Sequence, residues 1–221
     1  MADRAAGIPI AREGFPFVLG AGAPAVAAGM VEWMGTALAF AACASYCAWF
    51  FRNPARVIPS GEALIVSPGD GQVVAIEREF ESRFLKADSI RVSIFLNIFN
   101  VHINRVPCDG VLCDVAYQPG QFIPASKPDA TVRNEQNALM IQRADGKKLL
   151  CVQVAGLIAR RIVCWATPGE RVAKGDRFGL IRFGSRMDVY LPEETQVRVT
   201  TGERVKGGTS ILAELPCADR L

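Results

Sequence analysis

Two long apolar runs open the chain, and short alternating runs fill the rest. Residues 15–31 (FPFVLGAGAPAVAAGMV) and 33–51 (WMGTALAFAACASYCAWFF) carry no charge, and Glu32 alone separates them. As a helix the second run reaches roughly 28 Å, close to the hydrocarbon thickness of a bilayer. The first holds Pro16, Pro24 and several glycines, which predicts a kinked, re-entrant or interfacial segment. Arg4 and Arg12 precede the pair, Arg52 and Arg56 follow it, and its tip has only Glu32. The positive-inside rule then places both ends in the cytoplasm. A secretory signal fits less well, because the apolar region is too long and no A-x-A site leads into an evident mature start. The pattern predicts a membrane-anchoring helical hairpin over residues 1–54 and a second domain over 55–221.

From residue 55 the pattern shifts to short β-type runs separated by Gly, Pro, Asp and Asn. Residues 90–96 (IRVSIFL) alternate before turning continuously apolar, and 196–200 (QVRVT) alternate again. Residues 138–142 and 148–154 flank Ala144-Asp145-Gly146 and predict a β-hairpin. No long amphipathic helix with clear caps is present, so a mainly β domain is expected. Its last third repeats itself: residues 169–175 (GERVAKG) and 202–208 (GERVKGG) each lead into an apolar run, at 178–183 and 211–215. This turn-then-strand pattern resembles the β-sandwich of biotinyl/lipoyl-type domains.

Composition narrows the picture. A net charge of +3 does not argue for nucleic acid, and it suits work near an anionic membrane surface. The seven cysteines form no C-x-x-C pair and no alternation with histidine, so no metal site is expected. Cys108, Cys113, Cys151 and Cys164 fall in strand-like segments and read, with Cys43 and Cys47, as buried free thiols of a reducing compartment. Residues 77–88 (EREFESRFLKAD) mix Phe80, Phe84 and Leu85 with charges; they read either as an amphipathic lipid contact or as a solvated connection between strands.

Three places carry chemistry. Gly184-Ser185 lies between two apolar runs, where the ordinary reading is a tight bend. A serine hydroxyl there has another option: it can attack the preceding glycine carbonyl, convert the amide to an ester, and by β-elimination leave a pyruvoyl group on the new amino terminus. His102 is the one histidine, at the end of an apolar strand-like run. Asp70 stands between two glycines, either as a turn aspartate or as a carboxylate that orients an imidazole. Hydroxyl, base and carboxylate are what self-cleavage needs.

These residues fall in a longer series: 50–54 (FFRNP), 67–73 (SPGDGQV), 99–107 (FNVHINRVP), the segment 117–137 with Gly120-Gln121-Phe122, Asn134-Glu135 and Asn137, 153–156 (QVAG) and 183–186 (FGSR). With it the chain resembles the phosphatidylserine decarboxylases, of the short type with an amino-terminal membrane hairpin. The resemblance implies a carboxy-lyase that converts phosphatidylserine to phosphatidylethanolamine through a Schiff base to a protein-derived pyruvoyl group. It implies autocatalytic cleavage between Gly184 and Ser185 into a β chain of residues 1–184 and an α chain of 185–221, with Ser185 becoming the pyruvoyl. The two chains would form a heterodimer able to pair into a dimer of heterodimers, at the cell membrane with the catalytic domain on the cytoplasmic side. His102, held by Asp70, is expected to act as base in maturation and as proton donor in decarboxylation.

Two positions depart from the family pattern. Arg105 stands where longer members have a second histidine, and is expected to be a surface or carboxylate-binding residue. Arg186 stands where a threonine is familiar, and its role is open. A membrane-anchored biotinyl/lipoyl-like adaptor would explain the hairpin and the repeat, but the chain lacks an M-K-M attachment lysine. A related pyruvoyl decarboxylase of a soluble amino acid would leave the anchor unexplained.

Overall fold

The computed structural model of the chain describes residues 8–123, 133–156, 161–182 and 185–216. It divides into two compact units, residues 5–55 and the rest. In the first, α1 (Phe15–Met30) and α2 (Met34–Phe50) form an antiparallel pair. Pro16 sits in the first turn of α1, where its missing N–H is no loss, and Glu32 turns the chain with φ of 60°. The ends are tied together: Ala11 N–H donates to the Phe51 carbonyl at 2.8 Å, and Asn53 Nδ2 donates to the Ile8 carbonyl at 2.9 Å. Phe17 stacks on Phe51 at 5.4 Å. The helices have 16 and 17 residues, so they reach only about 24 and 26 Å. No described helix is long and apolar enough to cross a membrane.

The second unit is mainly β, as the alternation predicts. Its strands are β1 (Leu64–Val66), β2 (Gly71–Glu81), β3 (Ala87–Leu96), β4 (Ile103–Arg105), β5 (Gly110–Gln118), β6 (Gln136–Gln142), β7 (Lys148–Val154), β8 (Ile162–Cys164), β9 (Arg171–Val172), β10 (Arg177–Ile181), β11 (Ser185–Pro192), β12 (Gln196–Val197), β13 (Arg204–Val205) and β14 (Ile211–Glu214). An eight-stranded antiparallel sheet has the order β13-β2-β3-β11-β7-β6-β5-β9. Two three-stranded sheets, β4-β10-β8 and β1-β14-β12, complete the unit. Ile90, Val92, Ile94 and Leu96 of β3 meet Leu191, Val189, Met187 and Ser185 of β11 in register, and this face joins Leu139, Ile141, Leu149 and Cys151 in the core. The expected hairpin is β6 with β7, closed through Gly146 at φ of +81°.

The sequence repeat is a structural repeat. Gly169 and Gly202 are both left-handed, as are Gly175 and Gly208. Glu170 accepts from Thr167 N–H and Glu203 from Thr200 N–H, each at 3.0 Å. Val172 pairs with Gly110 and Val205 with Gly71, and each partner strand, β5 and β2, has an irregularity at the matching place, after Leu112 and after Val73. The likeness to biotinyl/lipoyl-type domains rests on this repeat alone.

Residues 77–88 follow the second of their two readings, a connection between strands, and one expectation needs correction. Residues 77–81 end β2, 82–86 form the turn, and β3 begins at Ala87. Period-two spacing instead puts Glu77 and Glu79 on one side, where both meet Arg91, while Phe84 and Leu85 pack on Leu150, Val152 and Tyr190. The cysteines expected to be buried are not all so: Cys43 and Cys113 are exposed, the latter with Sγ 3.2 Å from Gln142 Oε1, Cys47 and Cys164 are half-buried, and Cys108 and Cys151 are buried. Burial pushes the Cys108 thiol up to about 12 and Cys151 well above the usual thiol range.

Candidate active site

Ser185 is the first residue of β11, between β3 and β7, and it is fully buried. Its Oγ has no hydrogen-bond partner among the described residues. A buried hydroxyl left unmet costs about 1–3 kcal/mol. Gly184 lies outside the described residues.

His102 reaches this region through the strand register. Leu96 of β3 is the cross-strand partner of Ser185, and Ile103 of β4 is the partner of Leu180 in β10. The connection 97–102 therefore runs from β3 to β4, the strands paired with β11 and β10. Its turn is fixed by asparagines: Asn97 Oδ1 accepts from Phe99 N–H at 2.8 Å, and Asn100 Oδ1 accepts from Asn97 N–H at 2.9 Å. His102 is 3 % exposed, and its Nδ1 lies 3.0 Å from the Asn100 carbonyl. A carbonyl only accepts, so Nδ1 carries the proton and Nε2 is the basic nitrogen.

Asp70 has other partners than the one expected. Its Oδ2 accepts from Arg56 Nη2 at 2.8 Å, and its Oδ1 accepts from Gly207 N–H at 2.8 Å. No described contact joins Asp70 to His102. The repeat explains the Gly207 bond, because Asp109 Oδ1 accepts from Lys174 N–H at the same 2.8 Å in the other half. Holding the turn of the G-E-R-V unit is thus a duplicated duty of the fold, and Arg56 is what sets Asp70 apart. Arg56 drew attention in the sequence only as a charge flanking the hairpin.

Both departures from the family pattern acquire a setting. Arg105 is buried rather than at the surface; its Nη1 donates to the Gly175 carbonyl at 2.8 Å, and a side chain on Gly208 would meet its Cδ at 2.8 Å. Asp70 and Arg105 thus grip the same Gly207-Gly208 turn. Arg186 points to the opposite face of the sheet from Ser185 and pairs with Asp188, two residues on. One contact, Nη2 to Oδ2 at 2.9 Å, is a hydrogen bond; the other, Nε to Oδ1 at 2.9 Å, is a charge contact without hydrogen-bond geometry.

A row of buried amides escaped notice in the sequence as a unit. Asn137 Nδ2 donates to Gln153 Oε1 at 2.9 Å, and Gln153 Nε2 donates to Asn104 Oδ1 at 2.8 Å. Gly179 lets the row pass over β10, since a Cβ there would sit 3.1 Å from Gln153 Nε2 and 2.2 Å from the Val163 carbonyl. The available signal was position: Asn137 and Gln153 each end an apolar stripe. Chemically, the region offers a hydroxyl without a partner, an oriented imidazole and neutral donors, all out of water.

Comparison with known proteins follows the same line. The phosphatidylserine decarboxylase family model matches residues 43–213. A phosphatidylserine decarboxylase proenzyme of Syntrophus aciditrophicus (strain SB) is 47% identical over 204 residues, 92% of this chain and 96% of its own. Proteins of the same name from Geotalea uraniireducens (strain Rf4) and Aromatoleum aromaticum are 46% and 47% identical, each over 94% of this chain and 97% and 96% of their own.

Proposed function

The chain belongs to the phosphatidylserine decarboxylase family, and from that premise we propose that Ser185 is the serine from which it makes its pyruvoyl group. The activity is that of a carboxy-lyase: carbon dioxide leaves the serine headgroup of phosphatidylserine and phosphatidylethanolamine remains. The enzyme is made as a proenzyme and depends on a pyruvoyl group. The observation that carries the Ser185 reading is its fully buried Oγ, without a hydrogen-bond partner among the described residues, at the head of a central strand. Once formed, the group supplies an electrophilic carbonyl for the substrate amine and a sink for the electrons left by carbon dioxide.

The chain's own residues then have defined tasks. In maturation His102 Nε2 takes the Ser185 Oγ proton as the hydroxyl attacks the carbonyl of Gly184. The Asn100 carbonyl, not Asp70, holds the ring in the tautomer that this needs. Asp70 contributes by fixing the Gly207 turn, which belongs to the α chain of residues 185–221, onto the β chain of residues 1–184. During turnover His102 returns a proton to the carbon that lost the carboxylate. The two chains remain one heterodimer, and its pairing into a dimer of heterodimers belongs to the same reading.

The hairpin over residues 1–54 is read as a membrane attachment, with the domain over 55–221 on the cytoplasmic side. Leu19, Met30, Trp33 and Leu38 of this unit expose more than half of their surface, and contiguous exposed apolar surface of this kind marks a lipid or protein contact. An attached domain meets its lipid headgroup at raised effective concentration.

Intact mass spectrometry of the purified protein tests the central claim. Two chains are expected, the smaller beginning with a pyruvoyl at position 185, together with a single chain for Ser185→Ala and slowed splitting for His102→Ala. A wild-type chain that stays whole on incubation, or a smaller chain that begins elsewhere, sinks it.

A further inference from the structure

The inner face of the large sheet is apolar along most of its length and polar at one end. On β11 the stripe Leu191, Val189, Met187 ends in Ser185; on β7 Leu149 and Cys151 end in Gln153; on β6 Ile141 and Leu139 end in Asn137. Asn137 and Gln153 are direct cross-strand partners, and Gln153 stands opposite Met187. Gln153 is therefore the diagonal neighbour of Ser185, about 7–8 Å away between backbones and within reach of a long side chain. Asn104 meets this end from β4, two residues after His102.

The order of donors in the amide row decides which end of Asn104 is turned outward. Asn137 gives to Gln153 and Gln153 gives to Asn104 Oδ1, so the carbonyl end of Asn104 is taken. Its Nδ2 is fully buried and has no partner among the described residues. Asn104, Gln153 and Ser185 all have no exposed surface. An unmet donor and an unmet hydroxyl thus occupy one end of one core, each carrying a desolvation cost that no described residue returns.

We propose that Asn104 is the hydrogen-bond donor that stabilises the oxyanion formed when Ser185 attacks, with Gln153 and Asn137 as positioning residues that keep its NH2 turned to that oxygen. The proposal rests on Ser185 being the maturation nucleophile. In the step, Ser185 Oγ bonds to the preceding carbonyl carbon, its proton passes to His102 Nε2, and the carbonyl electron pair moves onto oxygen. Asn104 Nδ2–H meets that negative oxygen. The carbon–nitrogen bond then breaks, nitrogen takes the proton from His102, and an ester with a free amine results. A neutral amide suits the task because it strengthens as charge develops and places no permanent counter-ion beside the substrate carboxylate that must later leave.

The test follows splitting in time by gel and intact mass for the full-length wild type, Asn104→Ala and Gln153→Glu, with and without neutral hydroxylamine, which cleaves esters and spares amides. Gln153→Glu keeps the shape of the row but replaces its donor by an acceptor, so Asn104 must reverse and present oxygen. Both variants are expected to split at least about 100-fold more slowly than wild type, as for loss of one oxyanion donor. Hydroxylamine should release no fragment from the stalled precursors, since the ester never forms. Splitting at the wild-type rate overturns the proposal, and so does a stalled precursor that hydroxylamine cleaves, because the block then lies after the ester. Where Asn104→Ala does not fold, the isosteric Gln153→Glu decides alone. A wild-type chain that never splits overturns the Ser185 reading itself, whereas normal wild-type splitting beside unaffected variants overturns only the donor role.

Discussion

Replacing Asp188 by alanine should cost this protein more stability than almost any other single charge change. Its side chain has no exposed surface, that of Arg186 is 3 % exposed, and their paired atoms lie 2.9 Å apart. At an effective dielectric constant of about 20, unit charges at that distance attract by roughly 6 kcal/mol. Removing one member of a buried ion pair costs about 3–5 kcal/mol. Arg91 lies within electrostatic reach of Asp188 as well, but it keeps Glu77 and Glu79 when Asp188 is lost. Arg186 is the residue that loses both contacts at 2.9 Å. At roughly 2–4 °C per kcal/mol for a chain of this size, the melting temperature should fall by about 6–20 °C. Thermal melts on the single-chain Ser185→Ala precursor measure this without the complication of two chains. Arg186→Met with Asp188→Leu removes both charges and should recover most of the loss, since an apolar replacement of a buried pair is often neutral or better. Glu193→Ala is the control: the Arg78–Glu193 pair is 70% and 57% exposed, and its loss should cost less than about 1 kcal/mol. An Asp188→Ala melt within 2 °C of its parent, or a double variant no better than the single one, would refute the reasoning on this system, to the precision of about 1 kcal/mol that such melts resolve.

Two further outcomes are expected. In vesicle flotation at matched lipid, Leu38→Asp with Met30→Asp should move protein from the floating to the soluble fraction, and unchanged flotation would remove the hairpin from the membrane reading. In the folded protein at pH 8, iodoacetamide should modify Cys113 before Cys108 or Cys151, as peptide mass mapping would read, because burial keeps the latter two protonated. The sign of the linkage is fixed by the raised value: the contribution of a neutral buried Cys108 is complete below the unfolded thiol value of about 8.5 and is lost as pH rises through about 12. Early labelling of Cys151 at pH 8 contradicts this.

What could be read in the sequence was whatever local periodicity decides. Helices α1 and α2 follow from uncharged runs, and β3 and the β6–β7 hairpin follow from alternation closed by a glycine turn. The repeat was visible because its glycines must be left-handed in both copies. The partners of Asp70 were not visible, since they come from Arg56 and from Gly207, which only the strand register brings to it. Asn104 and Gln153 were hidden for another reason: a polar residue in an alternating strand looks like an outward position until the opposing layer is known. Arg105 illustrates the same limit. Charge suggested the surface, but the duplicated turn offers its guanidinium a buried carbonyl.

The place of the proposed cut bears on when it happens. It falls between the two G-E-R-V units, so the α chain would take β11, β12, β13 and β14. Strand β11 is not peripheral: it pairs with β3 along all its length and with β7 on its other side, and nearly all of its residues are buried. A separated α chain would have to insert its first strand into the middle of a sheet, adding an association cost of about 4–15 kcal/mol to the ordering of the strand. An intact chain closes the same pairs as an intramolecular loop, at a cost that grows only slowly with loop length. The groups assigned to the chemistry impose the same order. In the proposed chemistry His102 can act on Ser185 only once the β3–β11 and β4–β10 registers have formed, and Asn104 is oriented through β6 and β7. The proposed cut at 184–185 is therefore expected in a chain whose sheet is already formed, with the Ser185 hydroxyl and the Asn104 amide unmet among the described residues of that folded precursor.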